Sequence, residues 1–517
     1  MTTKIMIQEN AYFDSVTLMS LSGSIGERSG VEQVIVSMAT QMNKELLEQV
    51  NMLTEEAKNA KENDLIIAIK ATTEALVDEL ISIANEQLNS KKSLKKSGGN
   101  QSVNTLDLAL ENLPEANMAV ISVRGDFAAR EAKAALEAGL HVMIFSDNVT
   151  VSEERKLKEM GRDLGLLVMG PDCGTAIINQ VGLCFANQVR QGEIGLVAAS
   201  GTGLQEVTVQ IDHLGYGISQ AIGVGGRDLS EEIGGIMMLE GLKALSNDSK
   251  TKVIVLISKP PAPSVGVKIM EQIKQTKKPV VVCFLDGDGD EVRKSGAKFA
   301  KTLNQAAILA VEALTGIDAK RNIQNQKPEE KAWISAQKEK MASSQKYIRG
   351  LFCGGTLTSE ALSVIRPYVT EIRSNVSKRV DEKLANVLVS EGHTLLDLGD
   401  DDFTVGKPHP MIEPALRNER IWQEAKDPET AVLLLDFELG YGSHDNPVGV
   451  SFDILQEARG FAQRQGRHLP IVAYICGTAA DKQGYEEQVN QLKLLDVFVA
   501  ESNEHAAKIA VALAWEV

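Results

Sequence analysis

The sequence predicts an α/β protein of several parallel-sheet units, a Rossmann-like domain followed by two flavodoxin-like domains. Three observations lead there. Short apolar strands alternate with amphipathic helices along most of the chain, the pattern of sheets covered by helices. Of the 517 residues 43% are hydrophobic but only 4% aromatic, the usage of parallel strands built from Val, Ile, Leu and Ala. Four landmarks also recur, in one order, in two distant stretches. "IGLVAASGTGLQEV" (194–207) answers "IRGLFCGGTLTSEA" (348–361), and "AIGVGGRDLS" (221–230) answers "LLDLGDDDFT" (395–404). "TKVIVLIS" (251–258) answers "TAVLLLDF" (430–437), and "KPVVVCFLDGDGD" (278–290) answers "LPIVAYICGTAAD" (469–481). A repeat of whole-domain size is a duplicated doubly wound fold and not a solenoid.

Taken in order, residues 1–98 read as a small α/β domain. "TKIMIQEN", "VEQVIVSMA" and "DLIIAIKA" are its strands; "SVTLMSLSGSI" and "TTEALVDELISIANEQL" carry helical apolar stripes. "NSKKSLKKSGGNQS" (89–102) has linker composition, its lysines read as solvated. Residues 105–191 form a Rossmann-like domain of the CoA-binding type, with strands in "MAVISV", "HVMIFS" and "LLVMG". Its loops "SVRGDF", "SDNVTVSEE" and "GPDCGTAI" follow strand ends, where open α/β sheets place ligands, but the G-x-G-x-x-G fingerprint is absent. The two copies of the duplicated domain occupy 192–318 and 346–517. The polar stretch 319–345 reads as linker or solvated helix.

A net charge of −16 argues against nucleic acid as a partner. Cys173, Cys184, Cys283, Cys353 and Cys476 are odd in number and far apart, which fits reduced, buried thiols better than disulfides or zinc. The start "MTTKIMIQEN" lacks a signal-peptide core, and no apolar run has membrane-spanning length. These features predict a cytoplasmic protein without membrane contact.

Two glycine-rich strand ends stand out. Ser200, Gly201, Thr202 and Gly203 follow one strand; Gly354, Gly355 and Thr356 follow its counterpart. Such a turn points free N–H groups and the positive end of a helix dipole at one spot, so it suits a phosphate or carboxylate; the alternative is a plain turn with a hydroxyl cap. The repeat favours the anion site. Glu206 and Glu360, one turn further, read as acids complementing the dipole. In "DDDFTVGKPHPMIE", Asp400, Asp401, Asp402, Lys407 and His409 share a loop stiffened by prolines. His409 is an acid/base or oxyanion donor, or else a structural histidine. The aspartates read as a capping turn more readily than as a metal site. His444 lies in "GYGSHDNP", after another strand of the second copy. Arg227 in "GGRDLS" either forks onto a phosphate or carboxylate or pairs with a nearby acid. Cys173 in "GPDCGT" is reactive near a helix start or simply buried. His141, His213, His393, His468 and His505 carry no supporting context.

"ISVRGDFAAREAKAALEAGLHVMIFSDN", "GLLVMGPDCGTAIIN" and "SGTGLQE" resemble the α subunit of succinyl-CoA synthetase, and the second repeat resembles the ligase domain of its β subunit. Over nearly the whole length, through "YFDSVTLMS", "GPDCGTAI", "GGRDLS", "GDDDFTVGKPHPMI" and "GYGSHDNP", the chain resembles the FdrA/YahF family. From their places in strand-end loops, Asp172, Cys173, Gly174, Thr175, Gly225, Gly226 and Lys407 read as further substrate-binding positions beside the two glycine loops, and His409, His444 and Arg227 as catalytic candidates. The synthetase's catalytic histidine has no counterpart in "DGDGDEVRKSGAKFAK" (286–301), and its nucleotide-binding domain is missing. The family resemblance therefore implies one subunit of an oxamate-type carbamoyltransferase in purine-derived nitrogen catabolism. Carbamoyl phosphate and an oxamate-like acceptor would be its substrates, other protein subunits its partners, and it would form an oligomer with no required cofactor and no metal. The alternatives are an acyl-CoA synthetase subunit binding CoA or acyl phosphate, and a non-catalytic binding or regulatory protein.

Overall fold

The computed structural model describes residues 2–8, 11, 13, 15–26, 28, 30–40, 43–44, 47–48, 50, 52–61, 64–97, 105–317, 327–404 and 407–515. Residues 98–104 and 318–326 of the two linker stretches lie outside these, as do Tyr12 and Asp14 in "YFDSVTLMS" and 405–406 in the histidine loop. The chain divides into two compact units, 1–113 and 114–517.

The first unit holds β1 (Thr2–Gln8), β2 (Val31–Met38) and β3 (Leu65–Ala71). Its sheet is antiparallel, unlike the parallel sheets beyond it: β3 lies between β1 and β2 and runs against both. The composition explains the placement. "LIIAIKA" is the most apolar of the three strands and is buried along nearly its whole length, so it takes the centre. Leu18, Leu21 and Ile25 of helix Ser15–Gly26 pack on one face with Val77, Leu80 and Ala84; Leu47, Met52 and Ala57 cover the other.

The second unit contains three sheets. The first is parallel: β4 (Met118–Ile121), β5 (His141–Ile144) and β6 (Val168–Met169), with helices Gly125–Glu137 and Val151–Leu164. The latter helix opens on a capping box from Thr150 and Glu153 and ends on Gly165 in a left-handed conformation. The hairpin β7 (Thr175–Ile178) and β8 (Val181–Cys184) joins the next sheet, β7 running against β10.

That sheet continues with β9 (Gln191–Ala198), β10 (Ile218–Gly223), β11 (Val253–Ser258), β12 (Val280–Phe284) and β13 (Lys298–Phe299), in the order β13-β12-β11-β9-β10-β7-β8. The last sheet has β14 (Tyr347–Phe352), β15 (Ile372–Ser374), β16 (His393–Asp397), β17 (Thr430–Glu438), β18 (Ile471–Cys476) and β19 (Phe498–Ala500), in the order β15-β16-β14-β17-β18-β19. Leaving out the flanking β7, β8 and β15, both sheets show one parallel order, with the first strand between the second and third. The duplicated landmarks thus fall on equivalent strands: β9 with β14, β10 with β16, β11 with β17, β12 with β18.

One apolar core runs through both copies. Helices Gly201–His213, Leu303–Thr315, Gly355–Ile365 and Asn503–Ala514 contribute Leu204, Val207, Ile211, Leu303, Leu357, Ala361, Ile365, Ala506 and Ile509 to it. Helix Pro328–Lys338, expected as linker or solvated helix, instead docks: Ile334 enters the core and Trp333 stacks on Phe498 at 5.1 Å. Hydrogen bonds from Trp333 and Gln337 to Asp496 and from Lys338 to Ala512 O add to this hold. Leu357 is fully buried between the copies, so Leu357→Ala is expected to cost about 2–5 kcal/mol, read as a lower melting temperature; an unchanged melting temperature would contradict the shared core.

Candidate functional site

The two glycine-rich strand ends meet. Ser200 Oγ lies 2.5 Å from Thr356 Oγ1, joining the starts of helices Gly201–His213 and Gly355–Ile365. The approach requires glycine: a Cβ on Gly354 would lie 2.5 Å from Thr202 Cγ2, and one on Gly355 2.6 Å from Asp397 Oδ2. Ser200 caps its helix by accepting from Gly203 N–H (2.9 Å), whereas Gly354 offers its helix no side-chain cap. The first N–H groups of each helix have no intrahelical acceptor, and both dipoles point into the same gap.

The loop after β6 closes one side. Gly174 Cα and Thr175 Oγ1 lie 3.7 and 3.5 Å from where a Cβ on Gly201 would sit. Thr175 is 2% exposed, and its hydroxyl has no hydrogen-bond partner. Gly225, at φ +83°, comes so close to Pro171 that a Cβ would lie 2.4 Å from its carbonyl oxygen; Gly226 has open space around its Cα. Asp172 keeps solvent access but lies in a crowded crevice. Burial, then the charges of Asp147 and Asp401, pushes its carboxyl up to about 6 against the pull of Arg227.

Other candidates take different roles. Cys173 is in the core, 2% exposed, its thiol donating to Thr175 O and pushed up to about 12 by burial, so it is not a thiolate. Arg227 reaches Val149 O (2.7 Å) and Glu154 (2.8 Å). Glu154 also pairs with Lys158, which holds Asp228 and Val224 O, each at 2.8 Å. Asp228 in turn accepts from Met237 and Met238 N–H at a helix start. This buried network ties the "GGRDLS" loop to helix Val151–Leu164, and Arg227 belongs to it, on the side of the alternative that paired it with an acid. Lys407 is exposed, its main chain closing a turn onto Thr404.

His409 is half-buried against Phe185, ring centroids 5.7 Å apart. Its Nδ1 accepts from Met411 N–H, and burial pushes its pKa down to about 4, so it is neutral with its proton on Nε2. That nitrogen faces Gly399, where a Cβ would clash with it. His444 Nδ1 accepts from Asn446 N–H, and its own N–H donates to Met411 O, so the two histidine loops touch. Asp400 caps its own turn through Asp402 N–H (3.1 Å). Of the remaining histidines, His141 and His393 accept main-chain N–H groups, His213 and His468 bond Gly477 O and Gln337, and His505 lies beside Glu330.

Glu206 and Glu360 depart from their reading as dipole-complementing acids. Both are 0% exposed. Glu360 accepts from Leu303 N–H (2.6 Å) and Asn503 Nδ2 (2.8 Å), and Glu206 accepts from Asn503 N–H (3.4 Å). Being six residues into its helix, each side chain lands among the four helices of the shared core and not at the dipole end. Burial raises both carboxyls, and Glu206 raises Glu360 further.

Cys353, Asp436 and Glu438 bring buried ligand atoms within 4.8 Å of one another, the metal-type grouping found among the described residues. Arg417 already stands there, donating to Cys353 Sγ (3.1 Å) and Asp436 O (2.6 Å); its guanidinium supplies the charge a cation would bring. Lys259 and Asp397, which line the crevice at the helix starts, were missed in the sequence; only their position at the ends of β11 and β16, both repeat landmarks, could have flagged them.

The CoA-ligase family model matches residues 351–513, and the CoA-binding-domain model matches 189–286, not the 105–191 stretch expected to be of that type. The chain is 46% identical to YahF of Escherichia coli K12 over 99% of its own length and 98% of that protein, and it belongs to the FdrA/YahF family. It is 29% identical to succinate–CoA ligase (ADP-forming) subunit alpha 2 of Archaeoglobus fulgidus over 32% of this chain and 58% of that one. Among solved structures, PH0766 of Pyrococcus horikoshii is similar at 17% identity, covering 81% of this chain and 87% of that one, with a TM-score of 0.33. A third family model, described as AllF, heavy metal-associated domain, matches 1–105. Residues 1–105 contain no cysteine and no histidine, so they offer such a metal neither thiolate nor imidazole, leaving methionine thioethers as their soft ligands. No described helix is long and apolar enough to cross a membrane.

The raised carboxyls predict a pH dependence. Between the ordinary value of 4.5 and the raised values, the folded state holds more protons than the unfolded one, so stability falls as pH rises through that interval. Glu360→Gln, which mimics the neutral acid, is expected to flatten that decline in melting temperature; slopes parallel to the parent protein would show that the pair stays ionised.

Proposed function

We propose that this chain is one subunit of a carbamoyltransferase of the oxamate type, binding carbamoyl phosphate where the two helix starts meet and working with other subunits of its pathway in an oligomer. The observation that carries the reading is the junction itself: two N-termini, the Ser200–Thr356 hydroxyl pair and the unpartnered Thr175 hydroxyl aimed at one small gap. A phosphate there would accept the first N–H groups of both helices. The segment 286–301, where the synthetase resemblance would place a phosphohistidine, holds no histidine, which leaves the gap for a substrate's own phosphate. Transfer needs no covalent intermediate if donor and acceptor are held together, and helix N–H groups stabilise charge on the leaving phosphate. Neutral His409, with its Nε2–H beside Gly399, is a side-chain donor on the loop after β16.

The family matches to CoA-binding and CoA-ligase domains favour a second reading, an acyl-CoA synthetase subunit that takes an acyl phosphate at the same gap and CoA on the 189–286 domain. The test is carbamoyl phosphate binding by calorimetry to the parent chain and to Gly201→Val, whose Cβ has only ordinary contacts. The reading expects tight loss of binding at unchanged melting temperature, at least about a hundredfold if one N–H contact of roughly 3 kcal/mol is lost with the space. Binding that survives Gly201→Val in a folded protein would place the ligand elsewhere. Binding of CoA but not of carbamoyl phosphate would favour the second reading.

A further inference from the structure

The crevice at the helix starts holds two charged groups without charged contacts, Lys259 and Asp397. Lys259 is the first residue beyond β11. Ile257 O accepts from Ala199 N–H (3.0 Å), and a Cβ on Gly203 would lie 3.2 Å from Ile257 Cγ2, so Lys259 leaves the sheet beside Ser200. It is half-buried and makes no hydrogen bond or ion pair among the described residues. An ammonium drawn out of water without a partner is costly, and an anion bound beside it would relieve that cost. Asp397 ends β16. It is 8% exposed, Oδ1 accepts from Gly399 N–H (2.9 Å), and Oδ2 overhangs the start of the second helix at Gly355. Asn375 clamps its main chain from both sides, donating to its carbonyl and accepting from its N–H. The charged groups facing Lys259 are Asp397, Asp400 and Lys378. Those facing Asp397 are Asp400, Lys259 and Asp436.

We propose that Lys259 binds, and Asp397 protonates, the phosphate of an acyl or carbamoyl phosphate seated at the paired helix starts, an inference that rests on the reading given under Proposed function. Lysine serves phosphate as a point charge, and Lys259 leaves its strand next to the Ser200 turn, with Asp397 among the charges it feels. Asp397 is placed to be an acid because burial first, then Asp400 and Asp436, pushes its carboxyl up to about 7 against the pull of Lys259. In the transfer, the nucleophile's lone pair forms a bond to the carbonyl carbon and the bond from that carbon to the bridging oxygen breaks. The Asp397 carboxyl gives its proton to the bridging oxygen, which leaves as hydrogen phosphate. The proton lost by the nucleophile returns to the Asp397 carboxylate. Atoms and charges balance without any further reactant.

The test uses sulfate, whose charge does not change near neutral pH, as a phosphate probe on the full chain, with affinity measured by calorimetry below and above the Asp397 value. Lys259→Met is expected to weaken sulfate binding by at least about tenfold, the cost of losing one charged contact. Lys378→Met, which removes an exposed charge from the rim, is expected to change it by less than about threefold. Sulfate binding to the parent chain should weaken as pH rises through about 7, when Asp397 becomes an anion, and Asp397→Asn should remove that dependence. If Lys259→Met does not fold, Lys259→Gln carries the measurement. Unchanged binding in the Lys259 variant, or an unchanged pH dependence in Asp397→Asn, overturns the inference and leaves the proposed function standing. A parent chain that binds neither sulfate nor carbamoyl phosphate overturns both.

Discussion

Two helix dipoles set tip to tip repel, since each N-terminus carries roughly half a positive charge. The second unit is built on that arrangement. Helices Gly201–His213 and Gly355–Ile365 are held in place from behind by the core that runs through both sheets; glycine at 354 leaves room for the Thr202 side chain of the other helix start, and glycine at 355 leaves room for the Asp397 carboxyl. At the tip, only a hydroxyl pair bridges them. Packing energy behind the junction holds together what electrostatics at the junction would push apart, and the result is a gap with a standing preference for negative charge.

The elements around the gap follow from the same constraint. The β4–β6 sheet is tied to the β7–β13 sheet by buried charge, through Lys158 between Glu154 and Asp228, with Asp228 accepting from a helix start. Removing any one member would strand the others in the interior. The loop with Asp172 and Thr175 thereby reaches the first helix start at a set height. In the second copy, Arg417 does the equivalent work, lying under Cys353 and Asp436 at the root of the second helix start. Burial of so many carboxyls near one place has a common consequence. Asp172 and Asp397 beside the gap are raised, as are Glu206 and Glu360 in the core behind it, so the gap carries less negative charge than its composition implies.

Much of this was legible in the sequence because duplication is a pattern of landmarks, and the landmarks are strand ends. The Ser200 and Gly355 loops could be singled out from their shared glycine and threonine spacing, and strand order follows from the doubly wound plan. Pairing direction in the first unit was not legible, since period-two alternation looks the same for parallel and antiparallel neighbours; only the greater apolarity of "LIIAIKA" marks it as the central strand. Glu206 and Glu360 were misread because their distance from the helix start in residues says nothing of what packs on that face. Arg227 offered two partners on paper, and the choice depended on Glu154, seventy-odd residues away on the helix Val151–Leu164. Lys259 and Asp397 look ordinary in sequence; what distinguishes them is burial without an ion pair among the described residues, which only the fold can reveal.

The central claim is that one anion binds both helix starts at once. The most direct measurement is a crystal structure of the chain grown with carbamoyl phosphate. The account predicts the phosphate between Gly201 and Gly355, accepting main-chain N–H groups from both helices and the Thr175 hydroxyl. Carbamoyl phosphate bound instead in the cleft of about 350 Å³ lined by Gln188, Arg190 and Tyr441, or contacting only one of the two helices, would contradict it.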